Sequence, residues 1–383
     1  MYDAIVIGAR CAGAATAMLL ARAGCDVLLV DRARFPSEIP HGHFIHRHGP
    51  ARLARWGLLE RVLDTGCPRV TSITMDLGDF PLAGRDLEVD GVPVGLGPRR
   101  AALDKVLVDA AVEAGAELRE GFAVDDLTFD DGRVTGIRGR TRDGGGAGTE
   151  AARFVIGADG RNSSVAKRVQ AADTQSTPTI TCWYFSYWSG VAAEGLELYR
   201  LDGRVIFAFP TNDGLFAVFV AWPIDELATI RADPEHELLT VVDRVPELAE
   251  RVRAGSREER VLGATQLPNF VRTPGGPGWA LVGDAGCHKD PYMALGVCDA
   301  FRDAELLSEA LGDLFGGRVD EAAALAGYER RRNEATLPDY HANMAMASPA
   351  PLPPELLERR AAARGDQEAA NRVYMVGEGL VSS

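Results

Sequence analysis

Residues 1–31 leave this chain little freedom. YDAIVIG, at 2–8, is a continuous apolar run, the pattern of a strand buried on both faces. GARCAG follows, then AATAMLLARAG, a helix of small and apolar residues, and then CDVLLVD, a second buried strand. Strand, glycine turn, helix and strand open a doubly wound α/β fold. In the turn, Gly8 permits the tight reversal and Gly13 lets the helix pack close to the strand. Arg10, Cys11 and Ala12 lie between them, where backbone N–H groups at a helix start can meet a pyrophosphate. Arg10 stands where another glycine is usual. With its side chain turned outward it still offers its N–H, and its charge suits a phosphate. Asp31 ends the second strand about twenty residues on, with Arg32 beside it. An acid there accepts hydrogen bonds from the adenosine ribose.

The rest of the chain repeats and interrupts this pattern. ARFVIGADG and GWALVGDAG are further buried strands ending in glycine turns. RRAALDKVLVDAAVEAGA is an amphipathic helix with Leu103, Val106, Leu107 and Ala110 on one face. ELREG, DDLTF and RVTGIRGRTR read as a three-strand meander, with the loop GGGAG after it. Between 69 and 97, and again from 175 to 262, short strands alternate in antiparallel fashion, with a polar helical stretch at 234–254. The tail after 320 is helical and polar, broken by Pro338 and by SPAPLPP. The predicted organisation is a discontinuous doubly wound domain (1–68, 98–174 and 263–345), an inserted antiparallel β-sheet domain (69–97 and 175–262) and a C-terminal helical tail (346–383).

Three motifs occur in a telling order: the Gly8–Gly13 turn, Asp159-Gly160 in GADGRNS, and Gly283-Asp284 continuing to Pro291 and Gly296. In this the chain resembles the FAD-dependent aromatic hydroxylases typified by p-hydroxybenzoate hydroxylase, over residues 1 to about 345. The resemblance implies FAD as cofactor, with the 69–97 and 175–262 sheet as a substrate domain. It implies that Asp284 hydrogen-bonds the ribityl chain and that Gly283 brings backbone close beside it. Asp159 and Gly160 would form the turn associated with the pyrophosphate and with NAD(P)H use, and Arg100, in R-x-x-L-D, would sit against the FAD phosphate. Pro291 and Gly296 would bound the loop along the flavin ring, before a helix whose positive end faces it. The family motif P-x-x-G-x-G-x-N carries Ala294 for its first glycine and Cys298 for its asparagine. Lys289, in CHKDP, is placed either near the flavin, as a catalytic candidate, or as an exposed loop lysine.

HGHFIHRHG, at 41–49, holds four of the seven histidines. Its spacing suggests a metal, but neighbouring side chains on an extended loop point in opposing directions, and no acid or cysteine elsewhere recommends itself as a further ligand. The expectation is no metal. In the family this loop passes over the cofactor and contributes an arginine, for which Arg47 is the candidate. His43 and His46 would face the flavin or the substrate mouth as catalytic candidates, since neutral imidazole can donate or accept. In CWYFSYWSG, Trp183, Phe185 and Tyr187 share one strand face, and Tyr184 and Trp188 the other. The first face either belongs to an aromatic core or roofs a substrate.

A net charge of −14 argues against nucleic acid and anionic membrane surfaces as partners. The six cysteines are scattered without a C-x-x-C pair, which favours a reducing, cytoplasmic setting, and no apolar run is long enough to span a bilayer. The function the resemblance implies is an FAD-dependent monooxygenase. It would use NAD(P)H and O₂ on an apolar, aromatic or polyketide-like small molecule, with reduction on the same scaffold or by a separate flavin reductase. The alternatives are a reductase of the geranylgeranyl reductase type, whose aromatic-x-x-F-P strand IFAFP faintly resembles, then a flavin-dependent halogenase, although W-x-W-x-I-P is absent. A non-enzymatic flavin-binding protein comes last.

Overall fold

The computed structural model describes residues 1–141, 146–348 and 352–381, so most of the loop around GGGAG and part of SPAPLPP lie outside the described residues. Strand Tyr2–Ile7 is the centre of a parallel sheet, with Val27–Asp31 on one side and Ala147–Gly157 on the other. Trp279–Leu281 extends the sheet beyond Ala147–Gly157, and Glu117–Glu120 extends it beyond Val27–Asp31, both in parallel. Helices Cys11–Arg22, Arg100–Glu113 and Gly296–Phe315 bury Ala14, Met18, Leu103, Leu107, Phe301 and Leu307 in one core against it. That is the doubly wound layer expected of continuous apolar strands.

Two readings of the elements change. Glu117–Glu120 is not part of the meander. It follows its helix through a turn at Gly115 and pairs in parallel with Val27–Asp31, as a crossover strand does. The meander is instead Phe122–Asp130, Arg133–Thr141 and the first half of Ala147–Gly157. Pro338 does not break its helix either: Glu321–Ala347 runs through it. Tyr328, Arg332, Thr336 and Tyr340 are buried along that helix, so tertiary packing holds the turn whose N–H the proline lacks.

The second sheet runs Ser256–Arg257, Thr181–Ser189, Phe216–Pro223, Arg204–Pro210, Leu196–Leu201, Ile73–Asp76, Pro81–Gly84, antiparallel apart from one parallel pairing between Leu196–Leu201 and Ile73–Asp76. Strand alternation divides its side chains as the sequence suggests. Tyr184 and Trp188, with Val218 and Trp222, lie under helices Pro234–Val242 and Pro246–Ala254. Trp183, Phe185 and Tyr187 join Phe207, Phe209 and Phe219 on the opposite face.

The tail docks on the far edge of this sheet. Arg360, fully buried on helix Pro354–Ala362, binds both carboxylate oxygens of Asp79 at 2.9 Å and the Phe80 carbonyl at 2.7 Å. Tyr374, on helix Gln367–Gly377, donates its hydroxyl to the Leu82 carbonyl.

Candidate cofactor and substrate site

The glycine turn is built for close approach. Gly8 has φ +102°, and a Cβ there would lie 2.5 Å from the Ala158 carbonyl oxygen; at Gly13 it would collide with the Gly8 carbonyl. Gly283, at φ +57°, faces the Ala12 methyl, which brings the late glycine-aspartate motif against the first helix. Asp31 accepts from the Ala9 and Ala33 N–H groups, each at 2.7 Å, and each oxygen keeps a lone pair for a further donor. Arg32, next to it, is exposed.

Arginines converge beside this turn. Arg10 does not turn outward: it donates to Asp104 at 2.7 Å and to the Ser37 carbonyl at 3.1 Å, because Asp104 is fully buried and needs compensation. Arg100 shares the same carboxylate at 3.0 Å, and the Cys11 thiol, its pKa pushed far up by burial, points at it too. Arg161, one residue past Gly160, donates to His41 Nε2 at 2.9 Å. A guanidinium can only donate, so His41 Nε2 accepts and the ring proton sits on Nδ1, which is buried without a partner. Burial, then the charges of Arg100, Arg161 and Arg10, hold His41 neutral, its pKa lowered to about 3.

This donor set fits FAD. Three arginines and a lone N–H donor match a pyrophosphate. The carboxylate of Asp284 accepts no hydrogen bond from the described residues, leaving it open to ribityl hydroxyls. Gly296 starts helix Gly296–Phe315 with Asp284 Oδ1 4.0 Å from where its Cβ would be and no other atom so close, so this positive helix end is open.

Asp159 points inward, into its own turn. Its carboxylate is consumed by Ser163 and by the Ser164 amide and hydroxyl, at 2.5, 2.6 and 2.9 Å, capping the short helix Ser164–Arg168. With Gly160 at φ +78° it shapes the turn that presents Arg161.

The loop at 291–296 explains a departure from the motif. Pro291–Met293 is a 3₁₀ turn capped by Asp290, and Ala294 follows with φ 51°, ψ 34°. The glycine of the family motif is thus a left-handed position, which alanine occupies here under strain. Pro291 itself is half-buried at the start of this turn. Cys298, in the asparagine position, donates its thiol to the His46 carbonyl at 3.1 Å and ties the helix to the histidine loop.

The four imidazoles of that loop have separate destinations. His43 is 1% exposed and its Nε2 lies 3.0 Å from the Tyr187 hydroxyl, between Phe209 and Phe219. Burial first, then the charges of Arg99 and Arg100, bring its pKa to about 3, so it is neutral. His46 reaches Glu378 and the Met293 carbonyl, and His48 is exposed. Among the described residues no three His, Cys, Asp or Glu side chains could hold one metal ion. Arg47 is not aimed at the phosphates: it pairs with Asp339 at 2.9 Å, and its amide binds Glu378 at 3.1 Å. Arg161, which sequence reasoning passed over, holds a place in the arginine cluster instead.

Lys289 is neither an exposed loop residue nor an unpaired base. It is 9% exposed and lies 2.6 Å from Asp299, whose other oxygen takes Arg302 at 2.7 Å. Both the lysine and Asp299 are stabilised in their charged forms despite the opposing effect of burial, and the pair anchors the start of helix Gly296–Phe315.

One apolar cluster joins these parts. Trp183, Phe185 and Tyr187 meet Phe44 of the histidine loop, Tyr292 and, at its border, Met293 and Ala294 of the 291–296 loop. Phe185 stacks on Phe219 at 4.5 Å, and the Trp183 indole N–H is satisfied by Thr181 at 2.8 Å. Arg99 lies 4.1 Å over the Tyr187 ring and reaches Glu259 at 2.8 Å and Glu38 at 3.4 Å. A cleft of about 250 Å³ opens beside it, lined by Thr65, Asn212 and Leu215 among others. Neither Arg99 nor Glu378 was singled out in the sequence, since neither lies in a motif.

Residues 1–336 match a family model described as an FAD binding domain. The chain is 25% identical over 344 residues to a tryptophan 2-halogenase of Chondromyces crocatus, covering 85% of this chain and 64% of that protein, so it spans less than two thirds of that halogenase. It is 27% identical over 354 residues to digeranylgeranylglycerophospholipid reductase 2 of Methanopyrus kandleri, covering 87% of this chain and 82% of that protein. Among solved structures it is similar to PqsL of Pseudomonas aeruginosa, described as a probable FAD-dependent monooxygenase. The TM-score is 0.75 at 21% identity, over 97% of this chain and 99% of that one, a likeness of fold alone. Among the described residues no helix is long and apolar enough to cross a membrane.

Proposed function

The chain belongs to the FAD binding domain family, a family of FAD-dependent oxidoreductases, and on that premise we propose that it is a monooxygenase acting on an apolar, aromatic or polyketide-like small molecule. When bound, FAD supplies the redox and oxygen chemistry; the protein supplies position, dryness and polarity. The observation that carries the reading is the apolar cluster described above. It puts the aromatic face of the inserted sheet against both the histidine loop and the 291–296 loop. A site that transfers oxygen must exclude water and keep stray bases away. Aromatic side chains meet the first need, and burial that lowers the basicity of His43, hydrogen-bonded to Tyr187, meets the second.

In this reading Gly8, Gly13, Gly283 and Asp31 seat the nucleotide, while Arg10, Arg100, Arg161 and His41 neutralise its phosphates. Trp183, Phe185 and Tyr187 wall the substrate. His43 and the Tyr187 hydroxyl are the polar pair that orients a substrate hydroxyl or carbonyl through hydrogen bonds. NAD(P)H supplies electrons, directly or through a separate flavin reductase.

The similarity to the archaeal reductase favours a second reading, reduction of an isoprenoid-like chain. Isotopically labelled O₂ separates the two. Reduced enzyme is mixed anaerobically with candidate substrate, and labelled oxygen is added afterwards. The monooxygenase forms product only after oxygen arrives, and that product carries the label. Conversion before oxygen replaces the reading with the reductase, and a product that needs oxygen but carries no label overturns the monooxygenase. Incorporation of added bromide instead of oxygen identifies a halogenase.

A further inference from the structure

Both ring nitrogens of His46 face acceptors. Nδ1 lies 2.7 Å from a Glu378 carboxylate oxygen, and Nε2 lies 2.9 Å from the Met293 carbonyl oxygen. A neutral imidazole has one N–H and can serve only one of these partners. With Glu378 ionised, two bonds to two acceptor oxygens require both protons on the ring.

The partner comes from outside the family match. Glu378 caps the end of helix Gln367–Gly377, beyond residue 336 where the match stops. The same carboxylate oxygen also accepts the Arg47 amide at 3.1 Å. Met293 belongs to the 291–296 loop, and its amide is held from the other side by Asn343 at 3.0 Å.

We propose that Glu378 is a positioning residue of the cofactor site: it fixes His46 as a buried imidazolium whose Nε2–H holds the Met293 carbonyl, so that the C-terminal tail sets the 291–296 loop and places one positive charge beside the flavin. The inference rests on the flavin lying along that loop, as in the proposed function, and is independent of the reaction performed.

The charged and titratable groups around the ring agree with this. Glu378 faces it from the tail and Arg47 from its own loop, with Arg47 largely neutralised by Asp339 of helix Glu321–Ala347. From helix Gly296–Phe315 the Cys298 thiol, raised to about 11 mainly by burial, stays protonated and donates to the His46 carbonyl. Burial alone would lower the pKa of His46, but the charge of Glu378 and its hydrogen bond outweigh it, leaving the ring above its ordinary 6.5. Glu378 stands below its ordinary 4.5, because His46 and Arg47 overcome its own burial. The signs give the window. The grip is full between about 4.5 and 6.5; it weakens as pH rises through the raised His46 value, and again as pH falls through the lowered Glu378 value.

The test uses FAD-loaded full-length protein. Nitrogen NMR of ¹⁵N-histidine-labelled enzyme, with His46→Gln for assignment, should find both His46 nitrogens protonated at about pH 6, inside that window. Glu378→Gln should move the loss of that signature down by at least about one pH unit, and the pH dependence of flavin absorbance and midpoint potential should move with it. Glu378→Asp, which keeps the charge, should restore part of the shift. Tyr374→Phe removes the tail's bond to Leu82 without touching His46 and should leave both readouts unchanged.

A His46 that is singly protonated in the wild type at about pH 6 overturns the proposal, and this outcome needs no variant to fold. So does a Glu378→Gln holoenzyme whose flavin profile superimposes on the wild type, or a Tyr374→Phe variant that shifts as far as Glu378→Gln. The labelled-oxygen experiment fails or succeeds separately from all of these.

Discussion

His41 keeps a buried ring nitrogen without a partner, and Asp284 stands half-buried beside the start of helix Gly296–Phe315. Asp284→Ala removes an ionised acceptor, and hydrogen bonds to charged groups are worth roughly 1.5–3 kcal/mol, so FAD affinity should fall about 10- to 150-fold. Fluorescence titration of the apoprotein checks this, and unchanged affinity removes Asp284 from the site. Its position was legible because the glycine-aspartate turn is local in sequence. The free Nδ1–H of His41 was not, because the arginine that fixes its tautomer lies 120 residues away. The same applies to His46, whose carboxylate partner is 332 residues away. Spacing along one loop shows that imidazoles are gathered; only their partners decide protonation. The ion pairs of Arg10 with Asp104 and of Lys289 with Asp299 were not legible for a related reason, since each partner lies elsewhere in the chain.

The 291–296 loop shows what one element inherits from its backbone. Ala294 holds a left-handed conformation that costs a non-glycine residue roughly 1–2 kcal/mol, partly offset by the smaller freedom of alanine in the unfolded chain. Ala294→Gly should therefore raise stability by about 0.5–1 kcal/mol, measurable in denaturant melts, without loss of FAD. Destabilisation would mean that the alanine methyl's contacts in the apolar cluster outweigh the strain. The missing glycine was visible in the sequence; that the position keeps its left-handed shape without one was not. Strand Thr181–Ser189 was fully legible, since strict alternation assigns each aromatic side chain to a face. Glu117–Glu120 and Pro338 were not, because a short polar strand and a helical proline take their states from neighbours, by pairing and by packing.

Across the whole molecule, the buried neutral histidines make stability depend on pH. His41 and His43 both have pKa values near 3 in the fold, against an ordinary 6.5. The unfolded chain takes up protons that the folded chain refuses, so stability falls as pH drops below 6.5 and continues to fall toward 3. Between pH 7 and pH 5 the loss is about 2 kcal/mol for each histidine. Urea unfolding at the two pH values checks it, and His43→Phe should lose about half of the difference. A pH-independent midpoint would place neither ring in a buried, neutral state. The two-sheet architecture itself was readable, since buried runs and alternating runs segregate along the chain, whereas the route of the tail back to the histidine loop has no local signature.

That route has a consequence for how the molecule is made. The apolar cluster on this sheet face draws on Phe44, on strands such as Phe216–Pro223, on the 291–296 loop and, at the sheet's far edge, on the tail. A nascent chain leaves the ribosome N-terminus first, so the sheet is complete long before the segment that covers its edge. At roughly 5–20 residues per second, the roughly 110 residues between the last strand of that sheet, Leu262–Ala264, and Tyr374 take on the order of five to twenty seconds to synthesise. During that interval Phe207, Phe209 and Phe219 have no tail beside them, and the half-made sheet is a natural client for a chaperone.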